Sequence, residues 1–282
     1  MTGSRAAARR TGLSTPRRNR FFHGKMMDVH HFELETTYGI GMRRLLNRLV
    51  IGDGVVCGLD VERGDGDAAI EVTSGVAIDG WGREIVVPAR TGAIPIPPEL
   101  IDRVCGRPEE PAPEPGTHGY AGDQRRVTID REEPGYRRPD PEAWITVVLC
   151  YHECETEPVA VLAGDCSTTT PCAPGAIHEQ YRIAFEPGRV DPMELRCRVP
   201  DVLNRGELDY GALATWITRE CPAPPRNPCI PLANVRLDCG EDACSIDDID
   251  ITIRPLVLGN ELLVDLLAQI VDENRAGGDD RR

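Results

Sequence analysis

The feature that most constrains this chain is the run Trp144-Ile-Thr-Val-Val-Leu-Cys-Tyr151. Six of its eight residues are aromatic or β-branched, and it is apolar almost without interruption. Such a run is too short to span a bilayer as a helix, and its makeup favours extended backbone. A strand that does not alternate apolar with polar is buried on both faces. This segment is therefore expected at the centre of a sheet.

The segments before it read differently. VVCGLDV (55–61), AIEVT (69–73), GVAID (75–79) and REIVVP (83–88) are short, and Gly or Asp turn chemistry separates them. Their spacing suits an antiparallel meander in a small barrel or sandwich. Further strands are expected at 125–130, 158–162, 180–186, 231–238 and 249–254, with a short helix at 208–219. The chain holds 28 Gly and 24 Pro in 282 residues, which favours short elements joined by turns over a helical bundle.

Two longer helices flank this β-rich region. Asp28 suits an N-cap. Behind it Phe32, Tyr38, Met42, Leu45, Leu46 and Leu49 keep a helical period and predict a buried stripe. Gly39 and Gly41 within it predict a close contact or a kink, and Gly52-Asp53-Gly54 ends the element. Near the C-terminus, Asn260 can cap a helix with Leu262, Leu263, Leu266, Leu267 and Ile270 on one face. The expected fold class is mainly β (α+β), with antiparallel modules of barrel or sandwich type between an N-terminal amphipathic helix and a C-terminal helix. The expected order is a basic flexible arm (1–18), a helix plus meander (19–101), a Pro/Gly-rich loop (102–124), a second β module with cysteine-containing loops (125–258), the last helix (259–275) and a disordered tail (276–282).

Charge is unevenly placed. The formal net charge is −14, yet residues 1–27 contain six Arg, Lys25 and no acid, and so carry +7 against −21 for the rest. An acidic body argues against general nucleic-acid binding. A basic arm can stay solvated, or dock on its own body, an acidic neighbour or a polyanion. Its tip, Arg17, Arg18, Arg20, Phe21 and Phe22, is the candidate protein-binding segment. No apolar stretch follows the arginines as in a secretory signal, and no run is long and apolar enough for a membrane helix. Cytoplasmic synthesis without membrane insertion is expected.

Eleven cysteines without a secretory signal point to reduced thiols or a metal, not to a disulfide framework. Cys150, Cys154, Cys166 and Cys172, with His178 nearby, form one possible structural zinc set. Cys221, Cys229, Cys239 and Cys244 form a second. Both are more loosely spaced than paired CxxC knuckles, and buried or surface thiols remain the alternative. His30-His31 lacks the HExxH spacing, no phosphate-binding GxxxxGK[ST] or GxSxG motif occurs, and Asp247, Asp248 and Asp250 lack the spacing of a calcium loop. An open catalytic zinc would need an acid–base group, for which only His152 and Glu153 lie near.

Residues 19–61 read NRFFHGKMMDVHHFELETTYGIGMRRLLNRLVIGDGVVCGLDV. This resembles an uncharacterised family encoded with phage-tail-like contractile injection systems. The matching positions are Phe22, Gly24, Lys25, Phe32, Glu35, Tyr38, the run Arg43 to Arg48, Gly54, Val55, Val56, Gly58, Leu59 and Val61. SGVAIDGWGREIVV (74–87), YHECETEPVAV (151–161), IHEQYRIAF (177–185) and RPLVLGNELLVDLL (254–267) are similar to later blocks of that family. The resemblance implies a non-enzymatic structural component at or near the baseplate, whose partners are baseplate, sheath or spike subunits. An effector or cargo adaptor of the same particle is the alternative.

Overall fold

The computed structural model describes residues 13–106, 143–161, 172–193, 203–204, 207–240 and 243–279. The chain is mainly β with antiparallel sheets, as the strand pattern predicts. The expected strand at 125–130 lies outside the described residues.

The meander forms β1 (Gly54–Gly58), β2 (Val61–Arg63), β3 (Ala69–Val72), β4 (Gly75–Ile78), β5 (Glu84–Val87) and β6 (Ile94–Pro95). They divide into two three-stranded sheets, β1-β4-β5 and β2-β3-β6. Three stretches of chain cross from one sheet to the other, at 59–60, 73–74 and 88–93, and the first two lie side by side. Gly58 and Gly75 face each other at this crossing. A Cβ on Gly58 would lie 2.0 Å from the Ser74 carbonyl oxygen, and one on Gly75 would lie 2.2 Å from that of Cys57. Only glycine lets the backbones approach so closely. The bend drives Leu59, at φ +59°, fully into the core.

After the short helix α2 (Pro98–Val104), a second sheet runs in the order β12-β11-β7-β8. Its strands are β7 (Ala143–Ala160), β8 (Cys172–Pro187), β11 (Ile230–Cys239) and β12 (Cys244–Asp250). Trp144 to Cys150 of β7 are all buried, so the central-strand expectation holds. Between β8 and β11 lie the small pair β9 (Leu203–Asn204) and β10 (Glu207–Leu208) and helix α3 (Tyr210–Ile217).

The two β blocks share one core. Val55, Leu59, Ile70, Val72 and Ile85 of the meander pack in the same cluster as Ile145, Val147, Leu149, Leu232 and Val235 of the second sheet. Burying each such side chain contributes about 1.5–3 kcal/mol. Asn234, fully buried, ties the chain after β8 to the sheet by accepting from the Val190 backbone N–H at 3.1 Å and donating to its carbonyl at 2.8 Å.

Several expectations are corrected. Residues 158–162 are not a separate strand, since β7 runs through to Ala160. Cys154 and Cys172 stand on strands, not in loops. The last helix, α4 (Asn260–Asp279), reaches beyond 275 into the expected tail. Two disulfides join distant segments, Cys105–Cys239 and Cys150–Cys229, against the expectation of reduced thiols or metal alone. The β7–β11 register explains the second: Leu149 opposes Ile230, which sets Cys150 beside Cys229.

Helix α1 (Val29–Leu46) begins at Asp28 as predicted, the carboxylate accepting from the His31 backbone N–H at 3.2 Å. A π-helical turn (Asn47–Ile51) ends it at Gly52. Its apolar stripe, however, is not buried: no residue of α1 is, and Phe32 is 61% exposed. A Cβ at Gly39 or Gly41 would meet nothing within 4 Å, so no close contact accounts for them.

Candidate interaction surfaces and the cysteine cluster

Helix α1 is fixed to the body at its C-terminal end. There the segment Arg43 to Arg48 meets the turn Asp79 to Glu84. Asp79 is completely buried. Its carboxylate accepts from the Trp81 and Arg83 backbone N–H groups at 2.9 Å each and from the Arg83 guanidinium at 2.6 Å. Asn47, also buried, donates to the Gly82 carbonyl at 2.9 Å and to Glu84 at 2.8 Å. Arg43 pairs with Glu84 at 2.8 Å. Gly82, at φ +80°, leaves no room for a side chain, because a Cβ would lie 2.1 Å from the Arg44 carbonyl oxygen. A buried charge persists only when paired and hydrogen-bonded, and Asp79 meets that requirement through Arg83 and two backbone N–H groups.

The junction extends outward. Trp81 donates to the Pro225 carbonyl at 2.8 Å and Arg48 to that of Pro222 at 2.7 Å, so the proline-rich 221–228 segment is held against it. The Arg83 guanidinium lies 4.7 Å from the centre of Trp81 and 4.5 Å from that of Tyr151. Tyr151 marks the point where the second sheet changes character.

Inside that point β7 has neighbours on both sides; outside it only β8 remains. The β11 pairing stops at Leu149, whereas the β8 pairing continues from Tyr151↔Tyr181 to Ala160↔Cys172. At about 3.3 Å per residue, those ten β7 residues make a two-stranded ribbon ~33 Å long. Most of its side chains are exposed, and among the described residues no further strand covers its edges. Opposed residues share a face and successive ones alternate. One face therefore presents Tyr151/Tyr181, Glu153/Glu179 and Glu155/Ile177, and the other His152/Gln180 and Cys154/His178. Directly opposed like charges such as Glu153 and Glu179 oppose pairing. Arg44 offsets this in part, 3.7 Å from Glu153. Tyr151 donates to Glu153 at 2.7 Å, and burial first, then the neighbouring carboxylates, raise its phenol well above the ordinary value.

The predicted zinc sets are divided by the fold. Cys150 is bonded to Cys229 and Cys239 to Cys105, so the first set loses one member to a disulfide and the second loses two. Cys154 stands 3.4 Å from His152 Nε2 and 3.6 Å from Gln180 Oε1. Cys172 lies at the far end of the ribbon opposite Ala160, and Cys166 lies outside the described residues. Cys221 is exposed. His152 and Glu153, the acid–base candidates, alternate to opposite faces and cannot converge on one ion.

Cys239 and Cys244 do come together, as directly opposed residues of β11 and β12. The third sulfur is that of Cys105, which caps the C-terminus of α2. The three Sγ atoms lie within 4.8 Å of one another, so this group can hold a metal, although Cys105 and Cys239 are bonded to each other. Sequence spacing gave no sign of Cys105, 134 residues from its partner.

The arm's tip is accessible. Arg17, Arg18 and Arg20 are exposed, and Phe21 and Phe22 are 62% and 61% exposed. Between them Asn19 is buried, its backbone N–H donating to Glu35 of α1 at 3.2 Å. The lead-in thus folds against the helix while its basic and aromatic side chains face outward. Met26, Val29 and Phe32 continue this open apolar surface, and Val264 and Leu267 of α4 form another.

No protein-family model and no curated protein matches the chain. No helix among the described residues is long and apolar enough to cross a membrane.

Proposed function

We propose that this chain is a non-enzymatic structural component of a phage-tail-like contractile injection particle, at or near its baseplate. The observation that carries the reading is the contrast at α1. Its last turns are fastened to the body by buried polar groups, while the rest of it and its lead-in hold Phe21, Phe22, Met26, Val29 and Phe32 open to solvent. Large apolar side chains grouped on the surface mark a place for another protein. The ribbon supports the same reading, because uncovered strand edges accept a partner's strand. Its Glu153, Glu155 and Glu179 face suits the basic tip Arg17, Arg18 and Arg20 of a neighbouring subunit. The resemblance of residues 19–61 to the contractile-system family gives the particle its identity.

In this reading the partners are baseplate, sheath or spike subunits, and the protein is made and assembled in the cytoplasm. The metal is a structural zinc at Cys105, Cys239 and Cys244, where it adds folding stability and no chemistry. Quantitative mass spectrometry of purified particles before and after contraction tests the function. A fixed copy number retained on the baseplate supports it. Loss on contraction supports the cargo-adaptor reading, and absence from intact particles overturns both.

A further inference from the structure

The three-cysteine cluster has a property that a plain structural zinc site lacks. Its sulfurs come from three separate elements: the end of α2, the end of β11 and the start of β12. All three residues are half-buried, as a metal site needs if ions are to reach it. A cavity of about 400 Å³ adjoins two of them: Cys105 and Cys239 line it together with Val104, Arg236, Asp238 and Asp247. Asp247 is already engaged by Arg236 at 2.6 Å. Asp238 adds a second carboxylate to the wall, so that after the Arg236–Asp247 pair one negative charge is left over, and the space admits a solvent ligand beside the sulfurs. Two of the three sulfurs are joined in a disulfide, and a disulfide sulfur is a poor ligand because thiolate is the coordinating form.

We infer that Cys105, Cys239 and Cys244 form a redox-gated site for a soft divalent cation, closed when Cys105–Cys239 is a disulfide and open when it is reduced. This rests on the zinc assignment above and adds the condition under which the metal is held. The chemistry balances with one dithiol reductant. Its two electrons and two protons convert the Cys105–Cys239 disulfide to two thiols, and the reductant becomes a disulfide. Zn²⁺ then forms three Zn–S bonds as the three thiols release three protons to water, and a solvent oxygen takes the fourth tetrahedral position. In a reducing cytoplasm the metal form prevails; where a disulfide oxidant takes two electrons from the Cys105 and Cys239 thiolates and becomes two thiols, the metal leaves and the covalent link between α2 and β11 replaces it.

The test uses the full chain with Co²⁺ and then Zn²⁺ as probes, each added to reduced and to air-oxidised protein. Mass spectrometry confirms the Cys105–Cys239 state. The reduced protein is expected to bind one cobalt ion at this site, with thiolate charge-transfer absorption that zinc abolishes. Oxidation should lower that binding at least tenfold, a comparison that needs no variant. Cys244→Ser should weaken binding by tenfold or more, whereas Cys154→Ser on the ribbon should leave it unchanged. Equal binding by oxidised and reduced protein overturns the gate. Equal binding by wild type and the Cys105→Ser/Cys239→Ser/Cys244→Ser variant overturns the site. Metal is measured on the isolated chain and particle incorporation is not, so either reading can fail while the other stands.

Discussion

The α1–turn junction and the β7–β8 ribbon are both rich in charged and aromatic residues, and they treat them in opposite ways. At the junction Asp79 and Asn47 are buried, and each finds its hydrogen-bond partners within the Asp79 to Glu84 turn. On the ribbon Glu153 and Glu179 oppose each other in the open. The first arrangement is satisfied within the chain and so stabilises this fold. The second leaves charge and strand edges for something outside it. One sheet, followed from Trp144 to Ala160, passes from the one regime to the other at Tyr151.

The largest effect that would sharpen this contrast is on the buried side. Asp79→Ala strands the Arg83 guanidinium and two backbone N–H groups. It should cost about 3–5 kcal/mol, the loss seen when one member of a buried ion pair is removed, read as a fall in the urea midpoint. Glu153→Gln on the ribbon should change the same midpoint by less than about 0.5 kcal/mol. A comparable loss at both sites would break the comparison.

Next in size is the covalent tie at the ribbon's base. Cys150→Ser/Cys229→Ser opens a cross-link spanning 79 residues and should lower stability by about 2–4 kcal/mol in oxidised protein. In reduced protein the variant and wild type should melt within a degree or two.

Deleting residues 1–20 should leave the melting of the body nearly unchanged, because the described part of that segment is mostly exposed. It should reduce incorporation into particles several-fold, and added salt should weaken wild-type incorporation toward the deletion's level. Undiminished incorporation would remove the docking role of Arg17, Arg18 and Arg20.

The smallest expected effect is in acid. The Asp250 carboxyl is held below its ordinary value of 3.8, first by the Thr252 hydroxyl and then by that residue's backbone N–H. A depressed folded-state value gives stability that is present above pH 4 and is lost as pH falls through the folded value. Asp250→Asn should therefore flatten the acid limb of a stability-versus-pH curve slightly, without moving the neutral plateau.

What could be read from the residues follows the range of the forces involved. The strands expected at 69–73, 75–79 and 83–88 and the Asp28 cap are local patterns that match the observed bounds closely, whereas 55–61 spans the crossing between β1 and β2 and β7 runs nine residues past Tyr151. The stripe Phe32 to Leu49 was read correctly as one face but wrongly as buried. Periodicity says which side chains lie together, not whether anything covers them. Cys105 joining Cys239 and Cys244 depends on where α2 ends relative to β11, a tertiary relation with no trace in spacing. The ribbon was missed for a related reason. Glu and His interrupt the apolar pattern after Tyr151, and the continuing ladder is held by pairing with β8 and not by burial.

The Cys150–Cys229 bond lies one residue inside the start of the ribbon. A pull on the far end would run down two hydrogen-bonded strands and arrive at a covalent link backed by the Arg83 guanidinium and the Trp81 and Tyr151 rings it meets. Ladder bonds yield one after another under such a load, whereas the anchored base must give way as a unit. Under such a load the ribbon would unzip first and spare the body, acting as a mechanical fuse.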